Sequence, residues 1–568
     1  MKTNSGLDDG VYTMTDEKIQ RTIDVLSVVQ GAASSMYSEL LQGHKDLFLE
    51  MATKLDIILE KLEKDAEEQE QQVKGLRLGK AAISVQASLR RICRYSLYNI
   101  PLAIRKTEYE LIPFVNDMYA EYYFWTCIFP FREKWDDYYK NEMPLLMGNP
   151  YVRDSREKGN YKYDLSICVL SYNKLDYTKR CIDYLIRFMP RNLKCELILT
   201  NNGSSDGTKE YFDSIMPTKQ LDIRENWAFC RGPERIVEGE FYLAVSNDVL
   251  VMPHAIENML RLMKEDSKVG LVVPATPNIS NYQAESRNFN DWGEMETWAE
   301  KNNVYDPCRH EVRTRLMNPI EMGRSDYMTE SMANGYHLSD ISNAYSFPDD
   351  IIAVLCRRKG YKMILAKDAY CYHYGSVTIK DDEAKNQTSD EERRELYFRG
   401  KKKFEEMFGI DPWGTGFCYD IIFRNVELKF DGHIEVLGLN TGIGANPLKI
   451  REQYKEIKRN TDVTLTYYEQ DEKFFEEVKA YADETAMVRS IDDVLKHTGD
   501  KRYHYIVFEE PFRQSKGGMR ELERLADILV PNGEIYLAAN GYIKCKRFEC
   551  IVPKLEEGRS KFVQLIKK

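Results

Sequence analysis

Leu165-Ser166-Ile167-Cys168-Val169-Leu170 is a short apolar run that stops at Ser171-Tyr172-Asn173. Its length and apolar content predict a strand buried on both faces. A helical segment follows, then Cys195-Glu196-Leu197-Ile198-Leu199-Thr200, which halts at Asn201-Asn202-Gly203-Ser204-Ser205-Asp206-Gly207-Thr208. A third run, Phe241-Tyr242-Leu243-Ala244-Val245, halts at Ser246-Asn247-Asp248. Apolar runs that each end in small polar or acidic residues predict a parallel α/β sheet, with its ligand beyond the carboxyl ends of the strands.

Around that stretch, 568 residues exceed one hydrophobic core and predict about three domains. A hydrophobic content of 43% with 30% charged residues is that of a globular protein. The formal net charge of -11, with no basic block to offset it, excludes general nucleic-acid binding. No apolar run approaches the ~18 residues that span a bilayer, and the polar start Met1-Lys2-Thr3-Asn4-Ser5 lacks the apolar core of a signal peptide. The cysteines are scattered and form no Cys-x-x-Cys set, so a reduced, cytoplasmic protein is expected.

Residues 1–150 read as helical. Leu47, Met51, Leu55, Ile58 and Leu62 recur at helical spacing, and the polar stretch 60–72 continues the pattern without sustaining a coiled-coil seam. The aromatic stretch 119–131 reads as core or as a contact face, with an acceptor-binding surface as the alternative. Met147-Gly148-Asn149-Pro150 and the charged residues after it mark a linker. The central domain then runs over 151–425, closed by an amphipathic helix over 391–408. The last domain occupies 426–568.

The ordered motifs of the central domain resemble family 2 glycosyltransferases, which have the GT-A fold. They are the Tyr172-Asn173 strand end, the Asn-Gly-Ser-x-Asp-Gly-Thr turn from Asn202, the Ser246-Asn247-Asp248 remnant of a metal motif, and Tyr372-His373-Tyr374-Gly375-Ser376-Val377-Thr378. The resemblance spans roughly 160 to 380. It implies a nucleotide-sugar donor, UDP- or dTDP-linked, contacted by Ser171, Tyr172, Asn173, Asn201, Asn202, Asp206, Asn226, Arg231 and Asn247. Asn201 stands where the family usually has an acid, and Ala228 replaces a family glycine. The resemblance further implies Mn²⁺ or Mg²⁺ held by Asp248 and His373 against the diphosphate. For Ser346-Phe347-Pro348-Asp349-Asp350 the resemblance implies that one acid of the pair is the base for an inverting displacement, Asp349 in preference to Asp350. The Gln-x-x-Arg-Trp motif and membrane helices of processive members are missing, which implies transfer of one or a few sugars to a protein or glycan hydroxyl.

The last domain has a different logic. Ile434-Glu435-Val436-Leu437-Gly438-Leu439 runs into Asn440-Thr441-Gly442-Ile443-Gly444, and Val463 to Tyr468 ends at Glu469. This resembles a class I S-adenosylmethionine methyltransferase, a Rossmann-like fold, whose site would comprise Asn440, Gly442, Gly444 and Glu469. Asn440 replaces the first glycine of the motif and Gly438 replaces an acid. Those departures favour a fold kept for packing or partner contact over an active methyltransferase.

The leading expectation is therefore a metal-assisted, inverting sugar transferase with a flagellin-type Ser/Thr or surface-glycan acceptor of the kind bacteria modify. The alternatives are a bifunctional enzyme that also methylates the attached glycan, and a non-catalytic nucleotide-binding scaffold.

Overall fold

The computed structural model describes residues 14–568 apart from 74, 135–136, 139–141, 143–159, 225, 227–235, 326–346, 376, 378–388, 414–421, 423–425, 511, 513, 540 and 553–561. The chain packs into two compact units. The first comprises Met1–Ile182, Arg191–Asn247 and Arg324–Ser342; the second comprises Asp183–Pro190, Asp248–Gly323 and Asn343–Lys568.

The first unit opens with helices α1 (Asp16–Leu41), α2 (Lys45–Gln72), α3 (Leu78–Tyr98), α4 (Ile100–Lys106) and α5 (Ile112–Tyr123). The Thr15 hydroxyl caps α1 by accepting from the Lys18 amide. The buried stripe of α2 is Phe48, Ala52, Leu55, Leu59, Leu62 and Ala66. It keeps Leu55 and Leu62 of the expected stripe, whereas Leu47 is 44% exposed. The polar continuation remains helical because Gln69 is buried and accepts from the Tyr122 hydroxyl at 2.8 Å. The aromatic stretch is largely core: Phe124, Ile128 and Tyr138 cluster together, with Trp125 and Phe129 against them.

Behind these helices lies a fully parallel ladder in the order β3 (Lys219–Ile223), β2 (Cys195–Asn202), β1 (Tyr163–Ser171), β4 (Gly239–Ser246). Buried ion pairs attach the helices to it. Lys106, 1% exposed, meets Asp213 at 2.7 Å and also Asp222 on β3. Arg224 meets Glu121 of α5 at 2.6 Å.

The second unit begins with β5 (Val249–Leu250) and includes β6 (Val269–Ala275), β7 (His310–Arg313), β8 (Ile320–Arg324), β9 (Lys362–Tyr370) and β10 (Tyr372–His373). β9 runs parallel to β6 and antiparallel to β7, and β6 is antiparallel to β8. The short strands β5 and β10 form their own antiparallel ribbon. Helix Asp390–Phe408 starts on a capping box of Ser389 and Glu392.

The C-terminal sheet of this unit comprises β11 (Ile434–Leu439), β12 (Val463–Glu469), β13 (Glu484–Met487), β14 (Tyr503–Phe508), β15 (Leu529–Ala538), β16 (Phe548–Ile551) and β17 (Phe562–Lys567). The strand order is β13-β12-β11-β14-β15-β17-β16. The first five are parallel, and β17 is antiparallel to both its neighbours. The order reverses between β11 and β14, where an open α/β sheet presents its crevice.

Buried charges fasten this sheet to the rest of its unit. Glu477, fully buried, accepts from Arg357 at 2.8 Å and from Arg358 at 2.7 Å. Glu311 on β7 meets Lys449 at 2.7 Å, and the Val312 amide donates to Glu452 at 3.0 Å. Among the described residues no helix is long and apolar enough to cross a membrane.

Candidate active site

The strand ends of the first unit form a tight polar knot. The Asn173 amide donates to Ser204 Oγ at 2.8 Å, and Asn173 Oδ1 accepts from the Ser205 amide at 2.9 Å. Asn201 is 3% exposed; its Nδ2 donates to Asp222 at 3.1 Å and its Oδ1 accepts from the Ser204 amide at 3.0 Å. Asp206 accepts from the Leu175 amide at 2.8 Å with one oxygen and from the Thr208 hydroxyl at 2.6 Å with the other. Asn247 Nδ2 donates to Asn173 O at 3.0 Å and to Thr178 Oγ1 at 2.9 Å.

Asn201, Asp206 and Asn247 thus build the turns, as Asx side chains do by bonding nearby backbone. Asn202 donates to Asn226, itself exposed, at 2.8 Å. Ser171 is buried and Tyr172 half-buried. Arg231 lies outside the described residues.

Asp248 and His373 come together although they stand 125 positions apart in the chain. The β5–β10 ribbon is the reason: His373 pairs with Val249, the residue after Asp248. His373 Nε2 lies 3.4 Å from Asp248 Oδ2, and both side chains are buried. Asn278 Nδ2 supports the ribbon by donating to His373 O at 2.8 Å. At Gly375 φ is +96°, and a Cβ there would approach Asn278 Cβ to 2.9 Å, so the close approach requires glycine.

A divalent ion is compatible with this pair on two grounds, donor type and spacing. One donor is a carboxylate and the other an imidazole, a set that Mn²⁺ accepts and Mg²⁺ takes less readily. Adjacent ligands of an octahedral ion at ~2.1 Å stand about 3 Å apart, near the observed 3.4 Å. His373 Nδ1 is buried without a hydrogen-bond partner among the described residues. Those residues include no group of three or more His, Cys, Asp or Glu that would hold an ion without further donors.

The acid pair opens the helix Pro348–Arg358, where the dipole favours carboxylates. Arg315 separates the two acids. It grips Asp350 with two nitrogens, at 2.7 and 3.2 Å. Burial raises the Asp350 carboxyl above its usual range and Arg315 restrains it. Burial, reinforced by the neighbouring Asp350 charge, pushes Asp349 up to about 7 against the weaker pull of Arg315 and the Asn318 amide. The half-buried Asp349 is therefore an acid whose carboxyl is pushed into the neutral range. The loop of Thr276–Ala284 serves both groups: Asn278 holds β10, and Asn281 reaches Arg315 at 3.4 Å.

The glycine turn of the C-terminal sheet is closed on itself. Glu469, 1% exposed, accepts from the Thr441 amide at 2.8 Å and its hydroxyl at 3.0 Å; burial pushes its pKa up to about 8 despite these donors. Asn440 donates to Glu510 at 3.1 Å and accepts from the Gln470 amide at 3.1 Å. The Tyr467 ring fills the space beside Gly444, where a Cβ would come within 2.5 Å of it, and its hydroxyl donates to Gly444 O. Thr441, Gly442, Ile443 and Gly444 are all buried. The acid aligned with a ribose-binding position is thus covered, and Gly444 faces the Tyr467 ring.

Three supporting residues, Asn278, Arg315 and Asn318, were not legible as site residues in the sequence. Only their contacts identify them, since an isolated Asn or Arg in a polar loop has no distinguishing pattern.

Residues 166–314 match the family model described as Glycosyl transferase family 2. The match stops before Asp349, Asp350 and His373. No curated protein sequence matches.

Among solved structures, the chain is similar to GalNAc-T7 with UDP, GalNAc and Mn²⁺, at 12% identity over 38% of this chain and 43% of that one, TM-score 0.28. It is also similar to the mannosyltransferase PcManGT from Pyrobaculum calidifontis in complex with GDP-Man and Mn²⁺, at 16% identity over 40% and 64%, TM-score 0.26. A third is S. aureus TarS, at 14% identity over 43% and 42%, TM-score 0.27. The chain spans less than two thirds of the length of each of these structures.

Proposed function

We propose that this protein is an inverting glycosyltransferase that moves a sugar from a UDP- or dTDP-sugar to a hydroxyl of a protein or surface glycan. The observation that carries the reading is the division of labour in the acid pair: Arg315 holds Asp350, while Asp349 is left to titrate near 7. A base poised near the working pH balances the fraction ionised against its strength as a proton acceptor. Asp349 accepts the proton of the acceptor hydroxyl as its oxygen attacks the anomeric carbon. Attack opposite the leaving diphosphate inverts the configuration.

Asp248 and His373 would hold Mn²⁺ or Mg²⁺, which when bound neutralises charge gathering on the departing diphosphate. In the first unit, Asn201, Asp206 and Asn247 are occupied in shaping the turns. The closed glycine turn favours a structural C-terminal sheet over a methyl-transfer activity.

The test is release of nucleotide diphosphate from a panel of UDP- and dTDP-sugars with Mn²⁺ or Mg²⁺, with candidate glycans and Ser/Thr proteins present. Turnover of at least one donor is expected. Silence with every combination would remove the assignment.

A further inference from the structure

The second unit contains a cavity of about 250 Å³ whose walls come from two places. Tyr282, Arg315 and Trp413 form one side, and Ile443, Ala445 and Leu448 of the C-terminal sheet's glycine turn and its following helix form the other. Its address follows from two contacts. Arg315 is the residue that grips Asp350, and the Trp413 ring lies 5.6 Å from that of Phe347, which immediately precedes the acid-bearing helix.

Asn318 supplies a separate observation. Its backbone amide bonds the Asp349 carboxyl, yet its side-chain Nδ2 and Oδ1 are both buried with no partner among the described residues. A buried primary amide with neither end paired destabilises a fold, and native proteins rarely keep one without use. An amide that can both donate and accept, next to a base, suits a ligand hydroxyl.

We propose that this cavity is the subsite for the terminal sugar of a glycan acceptor, and that Asn318 orients the attacking hydroxyl toward Asp349. The aromatic faces of Tyr282 and Trp413 match the C–H face of a pyranose ring, while the Arg315 edge matches its hydroxyls. Ligand pockets pair an apolar lining with a few placed polar groups in this way, and those for drug-sized ligands run to ~300–1,000 Å³. A cavity of about 250 Å³ admits one ring. The C-terminal sheet would here serve as a specificity wall. This assignment rests on the glycosyltransferase reading.

Titration of the full-length protein with the methyl glycosides of glucose, galactose, N-acetylglucosamine and rhamnose, followed by tryptophan fluorescence, should give saturable quenching with at least one. That signal should vanish in Trp413→Phe, and Ala445→Phe, which fills the cavity, should weaken binding by calorimetry at least about tenfold. Asn318→Leu should raise Tm by about 1–3 °C while kcat/KM for the acceptor falls at least about tenfold. A merely structural Asn318 would move Tm the other way.

Diphosphate release with no glycoside bound, or binding of a Ser/Thr peptide in place of any glycoside, would overturn this assignment and leave the transferase reading standing. Glycoside binding without release from any donor would overturn the transferase reading and this assignment with it.

Discussion

At the scale of single residues, the chemistry turns on what each carboxylate touches. Asp349 and Asp350 were both legible as acids at a helix start, but nothing in that pattern separates them. Arg315, 35 positions upstream of Asp350, makes the distinction, and a contact at that sequence distance leaves no local trace. Transfer should rise with pH through a midpoint near 7, because the base acts only when ionised. Asp349→Asn should lower kcat by about 10² to 10⁴.

The same group affects stability with a definite sign. Its folded pKa is raised, so its contribution is full below the unfolded value near 4 and is lost as pH rises through about 7. Melting temperatures measured from pH 4 to 8 should therefore fall less steeply in Asp349→Asn than in the wild type. An equal slope would show that Asp349 titrates normally.

At the scale of elements, the long strands were readable and the short ones were not. β1, β2 and β4 begin and end near their predicted limits because apolar runs bounded by Asx residues have few other solutions. β5 and β10 have two residues each, too few for any periodicity, yet they bring Asp248 to His373. Of the expected stripe of α2, Leu55 and Leu62 are buried and Met51 and Ile58 pack against the same core, while Leu47 falls outside because packing against the other helices chooses Phe48. Gly375→Ala should strain the turn after β10 at φ +96° and push on Asn278. Mn²⁺ affinity measured by calorimetry with UDP present should fall about tenfold or more, with Tm lowered by only a few degrees. Unchanged affinity would argue that the ribbon does not set the metal pair.

At the scale of the whole molecule, the sequence marked out a helical region, a sheet region and a second sheet, but gave no sign of how firmly they are fastened. The fastening is ionic and buried, through side chains that look like ordinary surface charges in the sequence. Lys106→Met would leave Asp213 and Asp222 without their cation, and the loss of one partner from a buried ion pair costs about 3–5 kcal/mol. Glu477→Gln should destabilise by a similar amount, because Arg357 is buried against that carboxylate. Chemical denaturation followed by circular dichroism checks both; losses below 1 kcal/mol would mean that water or another group takes over.

The Arg357–Glu477 clasp also bears on how the chain is made. The two residues are separated by 120 positions, so the helix that bears Asp349 leaves the ribosome well before its counter-charge exists. At ~5–20 residues per second, the nascent chain waits on the order of ten seconds with that arginine uncovered. A translation stall between the two codons would prolong the interval and offer chaperones a helix whose C-terminal arginines lack their counter-charge, whereas a stall well beyond residue 477 would find the clasp already available.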